Sequence, residues 1–272
     1  MNYRLGWIRD FADIRDFHVK HEEVLPYKLE EAPLEPECKI AILPPIKNQD
    51  QLGSCTANAG TYMYETFALQ LQGAGTVPAL SRLFLYKATR RLEGSKGDTG
   101  AQLRDTMKSL VLFGLPPESY WPYDISKFDN DPTAFEYSMA QNYQAQTYYR
   151  LDPQGKDAES VIASIKLNLA ANRACIFGFT VYHNCMNNGN GNVRLPGLFD
   201  FVDGGHAICA VGYDDTRVIE GSTGAFIFAN SWGTVWGDAG FGYLPYDYVR
   251  KGLATDWWTM MNGEWVNLDV FK

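Results

Sequence analysis

Three polar residues, each at the edge of an apolar run, could together carry out acyl transfer: Cys55, His206 and Asn230. Cys55 follows Gly53-Ser54 and opens the helix-forming run Thr56-Ala57-Asn58-Ala59. The first turn of a helix presents unpaired N–H groups and the positive end of the macrodipole, and both favour thiolate over thiol. A working thiolate also needs a base, a group that orients the base, and donors for the oxyanion that forms on the attacked carbonyl. His206 stands at the start of the strand-like run Ala207–Tyr213, behind Asp203-Gly204-Gly205. Asn230 ends the apolar run Phe226–Ala229 and precedes Ser231-Trp232-Gly233, so its amide can orient the imidazole while Trp232 keeps water off that bond. Gln49, six residues before Cys55, can donate to the same oxyanion as the Cys55 N–H. Taken singly, each has a plainer reading: an inert packed thiol, a satisfied core histidine, a turn asparagine.

The elements that must position these groups can be read from periodicity. Ala59, Met63 and Phe67 at four-residue intervals, with Leu71 beyond, predict a helix from Cys55 to about Gln72, ended by Gly73 and Gly75. Ser81 is an N-cap for a second helix through Leu92, and a third helical stretch, Ala101–Phe113, stops at Gly114 and Pro116. The glycine-rich loop 94–100 precedes no lysine in phosphate-loop spacing, so it is not a nucleotide cradle. After a polar connector near Ser126–Thr133 the pattern changes: a strand over Gln146–Leu151, a helix over Asp157–Ala171, and strands at Ala174–Val181, His206–Tyr213, Ala225–Asn230 and Gly240–Leu244. Asn187–Asn192 reads as a surface turn.

Gln49 with Gly53-Ser54-Cys55, then Gly205-His206-Ala207, then Asn230-Ser231-Trp232-Gly233, resembles the papain family of cysteine peptidases, from about Pro44 to the mid-240s. Within that family the chain looks like a bacterial branch of the xylellain type. The match in order of all four residues is what the plainer readings leave unexplained. Two positions depart from the family pattern: Leu52 where a disulfide cysteine is usual, and Thr56 where an aromatic is usual. The resemblance implies an α+β, two-lobed fold with a helical lobe at about 45–125 and a β-barrel-like lobe at about 135–272. It places the site in the cleft between them. It also implies catalytic roles for Cys55, His206, Asn230 and Gln49, and substrate contacts at Gly53, Thr99, Gly100, Ala101, Gly178, Gly205, Ala207 and Trp232. The pocket for the second residue before the scissile bond would lie near Ala101, Gly178 and Ala207, whose small side chains predict an apolar or aromatic preference. Trp121-Pro122-Tyr123 resembles the segment closing the helical half. No metal or organic cofactor is implied. Endo- and exopeptidase are both compatible. An acyltransferase or transamidase using the same triad, or a silent peptide-binding homologue, are the alternatives.

Composition bounds the partners. The chain has 272 residues, 46% hydrophobic and 14% aromatic, enough for a sizeable core. A net charge of −8 argues against nucleic acid or an anionic membrane as main partner, and no apolar stretch is long enough for a membrane span, leaving a peptide or protein substrate. Charges within the first ten residues predict the absence of a signal peptide, which favours a cytoplasmic location unless a leader is trimmed or export is leaderless. Of the five cysteines, Cys175 and Cys209 fall in apolar runs and read as buried hydrophobes, while a disulfide involving Cys38 or Cys185 stays open. Residues 1–40 form a polar arm broken by Pro26, Pro33 and Pro36, expected to contribute little to the core. Two placements follow for it: over the cleft as a short pro-like segment that makes the chain a zymogen, or packed elsewhere on the 41–272 catalytic domain. His18 and His21, though spaced for a helical metal pair, lack a third ligand and read as a solvated face.

Overall fold

A computed structural model describes residues 3–18, 34–73, 77–186 and 189–263 of the chain. Three of its described helices begin where a short polar side chain accepts a free N–H group of the first turn. Ser81 accepts from the Phe84 N–H and opens α2 (Arg82–Leu92). Asp157 accepts from the Ser160 N–H and opens α5 (Ala158–Ala170). The nucleophile helix α1 (Cys55–Gln72) has no side-chain cap at Ser54, and it ends at Gly73, whose φ of +88° only glycine adopts freely. Helices α3 (Leu103–Leu112), α4 (Ala134–Ala140) and α6 (Asp247–Arg250) complete the α-helices among the described residues. Helix α4 falls beyond the expected polar connector, where Thr133 and Glu136 form a reciprocal capping box.

Seven strands form one antiparallel sheet in the order β4 (Ala145–Arg150), β9 (Ala254–Gly263), β5 (Cys175–Tyr182), β6 (Val202–Ile219), β7 (Ser222–Ala229) and β8 (Phe241–Pro245), with β2 (Glu37–Lys39) against β6. Side chains alternate across it as a pleated strand requires. Ile176, Cys209, Val211, Ile227 and Trp258 join Met63, Leu85 and Leu110 of the helices in one core. Their neighbours Phe177, Ile208, Ala210, Phe226, Phe228 and Trp257 face the other way and pack with Ile165 and Leu169 of α5 in a second. The sheet is therefore covered on both faces, with α1, α2 and α3 on the side that carries Cys55.

The sequence gives no sign of β9, which inserts between β4 and β5. Asp256, at φ 57°, interrupts the strand's alternation and shifts its register. All five cysteines are free thiols, so no disulfide forms at Cys38 or Cys185.

The N-terminal arm is not a poor core contributor. Its strand β1 (Trp7–Ile8) pairs in parallel with β3 (Ala101–Gln102), in register Trp7 to Ala101. Tyr3, Leu5 and Trp7 alternate with Arg4 and Gly6 and pack on the two cores, because one face of this short extended run is apolar despite its charges. His18 bridges to Arg150, whereas His21, Gly75, Asn187 and Asn188 lie outside the described residues.

Candidate active site

Cys55 enters the site as the first residue of α1, and His206 as part of β6, which packs against α1. The two side chains come from opposite sides of the junction between helices and sheet, and both are fully buried. The His206 Nε2 lies 2.8 Å from the Asn230 Oδ1, so the amide oxygen accepts the Nε2–H and fixes the tautomer. The Nδ1 is then left bare on the other edge of the ring, buried and with no hydrogen-bond partner among the described residues. Asn230 itself is held by the Ser231 N–H, which donates to the same oxygen at 2.8 Å. Trp232 stacks on His206, ring centres 4.8 Å apart, and so screens the imidazole and its hydrogen bond from water.

Gln49 is aimed by its neighbours. Its Oε1 accepts from the Ser231 hydroxyl at 2.5 Å and its N–H donates to the Ser231 carbonyl at 2.8 Å, which pins the residue to the asparagine segment. The Tyr123 hydroxyl donates to the Gln49 carbonyl at 3.0 Å and pairs with the Ser54 hydroxyl at 2.6 Å. The side-chain amide, with its oxygen so engaged, turns its N–H groups to the cleft: Nε2 donates to Leu52 O and to Arg4 O, each at 2.9 Å. Ser231 and Tyr123 are positioning residues that the sequence reading left without a role. Both lie inside quoted motifs, and only the fold shows that one hydroxyl bridges 182 positions to reach Gln49.

The cleft is filled by residues 3–8. Tyr3 stacks flat on Trp232, 4.7 Å between ring centres with a 2° tilt, and its hydroxyl donates to the Trp232 carbonyl at 2.9 Å. The Gly6 backbone passes over Gly53 and Gly100 so closely that a Cβ on Gly6 would sit 2.0 Å from Gly53 O, and one on Gly100 2.2 Å from Gly6 O. The Ala101 N–H donates to Gly6 O at 2.9 Å. The indole of Trp7 lies on Gly178 and Gly205: a Cβ at Gly178 would stand 1.9 Å from its Cε2 and one at Gly205 2.6 Å from its Cε3. Of the eight expected contact positions, Gly53, Gly100, Ala101, Gly178, Gly205 and Trp232 thus line one groove. Ala207 sits buried behind it with its N–H on the Cys55 thiol. The Thr99 hydroxyl turns back to Gly100 O at 3.1 Å instead of facing the segment.

Burial bears on the protonation of the pair. Burial pushes the Cys55 thiol up to about 11, against the pull of N–H groups from Ala207, Gly6, Thr56 and Cys55 itself. Burial likewise pulls His206 down to about 4, with the Asn230 hydrogen bond opposing it. In this state burial thus opposes the thiolate–imidazolium pair that a helix start favours. The helix N–H groups do reach the sulfur, but the loss of water outweighs them once the segment lies on top. The described residues contain no cluster of histidine, cysteine or carboxylate able to hold a metal ion, and no described helix is long and apolar enough to cross a membrane.

A two-lobed α+β fold with a thiol from a helix start, an imidazole from the sheet and convergent amide donors defines a thiol-dependent hydrolase. The family profile "Papain family cysteine protease" matches residues 34–257, and the chain belongs to that family. It is a cysteine peptidase. A peptidase C1-like protein of Acanthamoeba polyphaga mimivirus is 32% identical over 97% of this chain and 94% of its own length. Xylellain, a cysteine protease from Xylella fastidiosa, superimposes with a TM-score of 0.77 at 32% identity, covering 95% of this chain and 96% of that one. The digestive procathepsin L2 of Tenebrio molitor shares the fold at a TM-score of 0.71 and 19% identity, over 96% of this chain and 78% of that one.

Proposed function

We propose that this peptidase works by covalent catalysis at Cys55 and that residues 3–8 of a regulatory arm, residues 1–40, hold its cleft closed. In the open enzyme the bare Nδ1 of His206 takes the thiol proton, and the thiolate attacks the peptide carbonyl carbon. Nε2–H stays on Asn230, which keeps Nδ1 aimed at the sulfur. The oxyanion is met by Gln49 Nε2 and the Cys55 N–H. As the tetrahedral carbon collapses, the C–N bond breaks and the imidazolium gives its proton to the leaving amine. Water, deprotonated by Nδ1, then breaks the C–S bond and restores the thiol.

The observation that carries the proposal is the carbonyl of Arg4 at 2.9 Å from Gln49 Nε2, the place an attacked carbonyl must occupy. The direction of the segment supports inhibition over cleavage. In a productive peptide the leaving amine lies on the carboxy-terminal side of that carbonyl and must face the imidazole. Here the amino-terminal neighbour, Tyr3, lies on Trp232, itself stacked on His206, while Gly6 and Trp7 run away along Ala101 and Gly178. The segment is inverted, so His206 cannot reach its leaving amine. Trp7 on Gly178 and Gly205 supports the apolar or aromatic preference of that pocket.

The test is Trp7→Ala in the full chain, read by iodoacetamide labelling mapped to each of the five cysteines and by cleavage of a small peptide with phenylalanine in that pocket. Faster labelling of Cys55 and faster cleavage are expected. If both rates stay fixed while the melting temperature falls, the segment is a structural strap.

A further inference from the structure

Two donors can meet one oxyanion only if their separation is held, yet Gln49 sits in a turn and the Cys55 N–H heads a helix. No disulfide ties that turn to the helix, since all five cysteines are free thiols. Arg82 takes no part in the chemistry above, and as the first residue of α2 it is buried at 7% exposure. Its Nη1 donates to Asn48 O at 3.0 Å, the carbonyl just before Gln49, and to Asn58 Oδ1 at 2.9 Å, in the first turn of α1. Asn58 carries the hold to the residue before the nucleophile: its Nδ2 donates to Ser54 O and to Ser54 Oγ, each at 3.0 Å. The face of the same guanidinium lies 3.8 Å from the centre of the Tyr123 ring, whose hydroxyl touches both Gln49 O and Ser54 Oγ. Its Nη2 faces Glu118 at 3.4 Å, which supplies the counter-charge.

Two routes therefore leave Arg82, one through Asn48 and Asn58 and one through Tyr123, and each joins the Gln49 turn to the start of α1. We infer that Arg82 is a positioning residue that sets the separation of the two oxyanion donors, Gln49 Nε2 and the Cys55 N–H, without touching substrate. A guanidinium suits the task because it donates in its plane and stacks on its face at the same time. An ammonium in its place keeps the charge opposite Glu118 and loses both the shared donor and the stacking surface. The plainer role for a buried arginine, a cation that only steadies the fold through its acid partner, would be filled by lysine. This inference rests on the oxyanion role proposed for Gln49.

The test reads two rates in the full chain. Cleavage of a small peptide amide, as kcat/KM, passes through the oxyanion, whereas alkylation of Cys55 by iodoacetamide forms an S–C bond, expels iodide and makes no oxyanion. Both rates scale with the open fraction, so the arm divides out of their ratio. Arg82→Lys, and Tyr123→Phe, which keeps the ring beneath the guanidinium, are each expected to lower the ratio roughly 10-fold, the loss falling on kcat. In a Gln49→Ala background the same substitutions should lower it by less than about threefold, since the donor they position is gone. If Arg82→Lys does not fold, the comparison in Tyr123→Phe decides. No fall, or an equal fall with and without Gln49, overturns the inference and leaves the peptidase mechanism standing. A ratio unchanged by Gln49→Ala alone overturns the oxyanion role beneath it.

Discussion

Replacing Asp10 by asparagine should abolish a pH dependence of arm release that runs opposite to acid activation. Asp10 sits three residues beyond Trp7 and is buried against the catalytic body. Its N–H donates to Asp256 Oδ2 at 2.8 Å, and its carboxylate accepts from Trp258 Nε1 at 2.9 Å and the Arg104 N–H at 3.2 Å. Around it, four carboxylates, Asp10, Asp16, Asp152 and Asp256, share two guanidiniums, Arg104 and Arg150, with Glu93 and Tyr148 also close by. Burial and the charge of Asp256 push Asp10 up to about 7. In the released arm it returns to the ordinary 3.8. A carboxyl raised on docking stabilises the docked state fully below 3.8, and that stability is lost as pH rises through about 7. Within this window one linked proton is worth about 1.4 kcal/mol per pH unit, close to tenfold in the open fraction. The assay is the rate of Cys55 alkylation in the natural chain divided by that in full-length Asp10→Asn between about pH 5 and pH 8, so that ionisation of the thiol itself cancels. The ratio should climb by roughly tenfold or more toward neutral pH. A flat or falling ratio would show that Asp10 does not couple docking to protons.

Three further outcomes follow from the geometry. Gly178→Ala places a methyl 1.9 Å from the Trp7 indole and should speed Cys55 alkylation by expelling the segment, with the core intact by near-ultraviolet circular dichroism. Gln49→Ala should raise the barrier by roughly 2.7–4 kcal/mol in kcat, and unchanged turnover would remove Gln49 from the mechanism. Asn230→Ala should lower turnover less than His206→Ala, since it loosens the base without deleting it; the reverse order in steady-state kinetics would reassign the pair.

What could be read beforehand was whatever has a local signature. Ser81 and Asp157 announce their helices because an N-cap is satisfied within three residues. Buried strands such as β5 and β6 announce themselves as unbroken apolar runs. The residues of the cleft were legible through four short motifs, and the fold draws Gln49, Cys55, His206 and Asn230 into one groove. What stayed hidden depends on pairings far apart in the chain. Strand β9 was lost because Asp256 turns its backbone to the left-handed region to meet Arg150, 106 positions away. The glycine-rich loop 94–100 gives no local sign that Tyr86 donates to Asp98 and Arg90 to Gly97 O, which brace it. The arm looked merely polar because a run as short as Tyr3–Trp7 is too brief for its alternation to stand out from charge and proline.

The burial of the Cys55 thiol beneath Gly6 has a consequence for oxidation. Peroxide attacks the thiolate, and the first product, a sulfenic acid, needs room for an added oxygen. Covered and held up at about 11, Cys55 presents neither an anion nor space, so it stays at the bottom of the oxidation ladder. If residues 3–8 leave the cleft as proposed, the same movement would restore the nucleophile and expose it to oxidants. On that proposal the closed form would also be the durable form, and the working life of each molecule would be set by how long it stayed open.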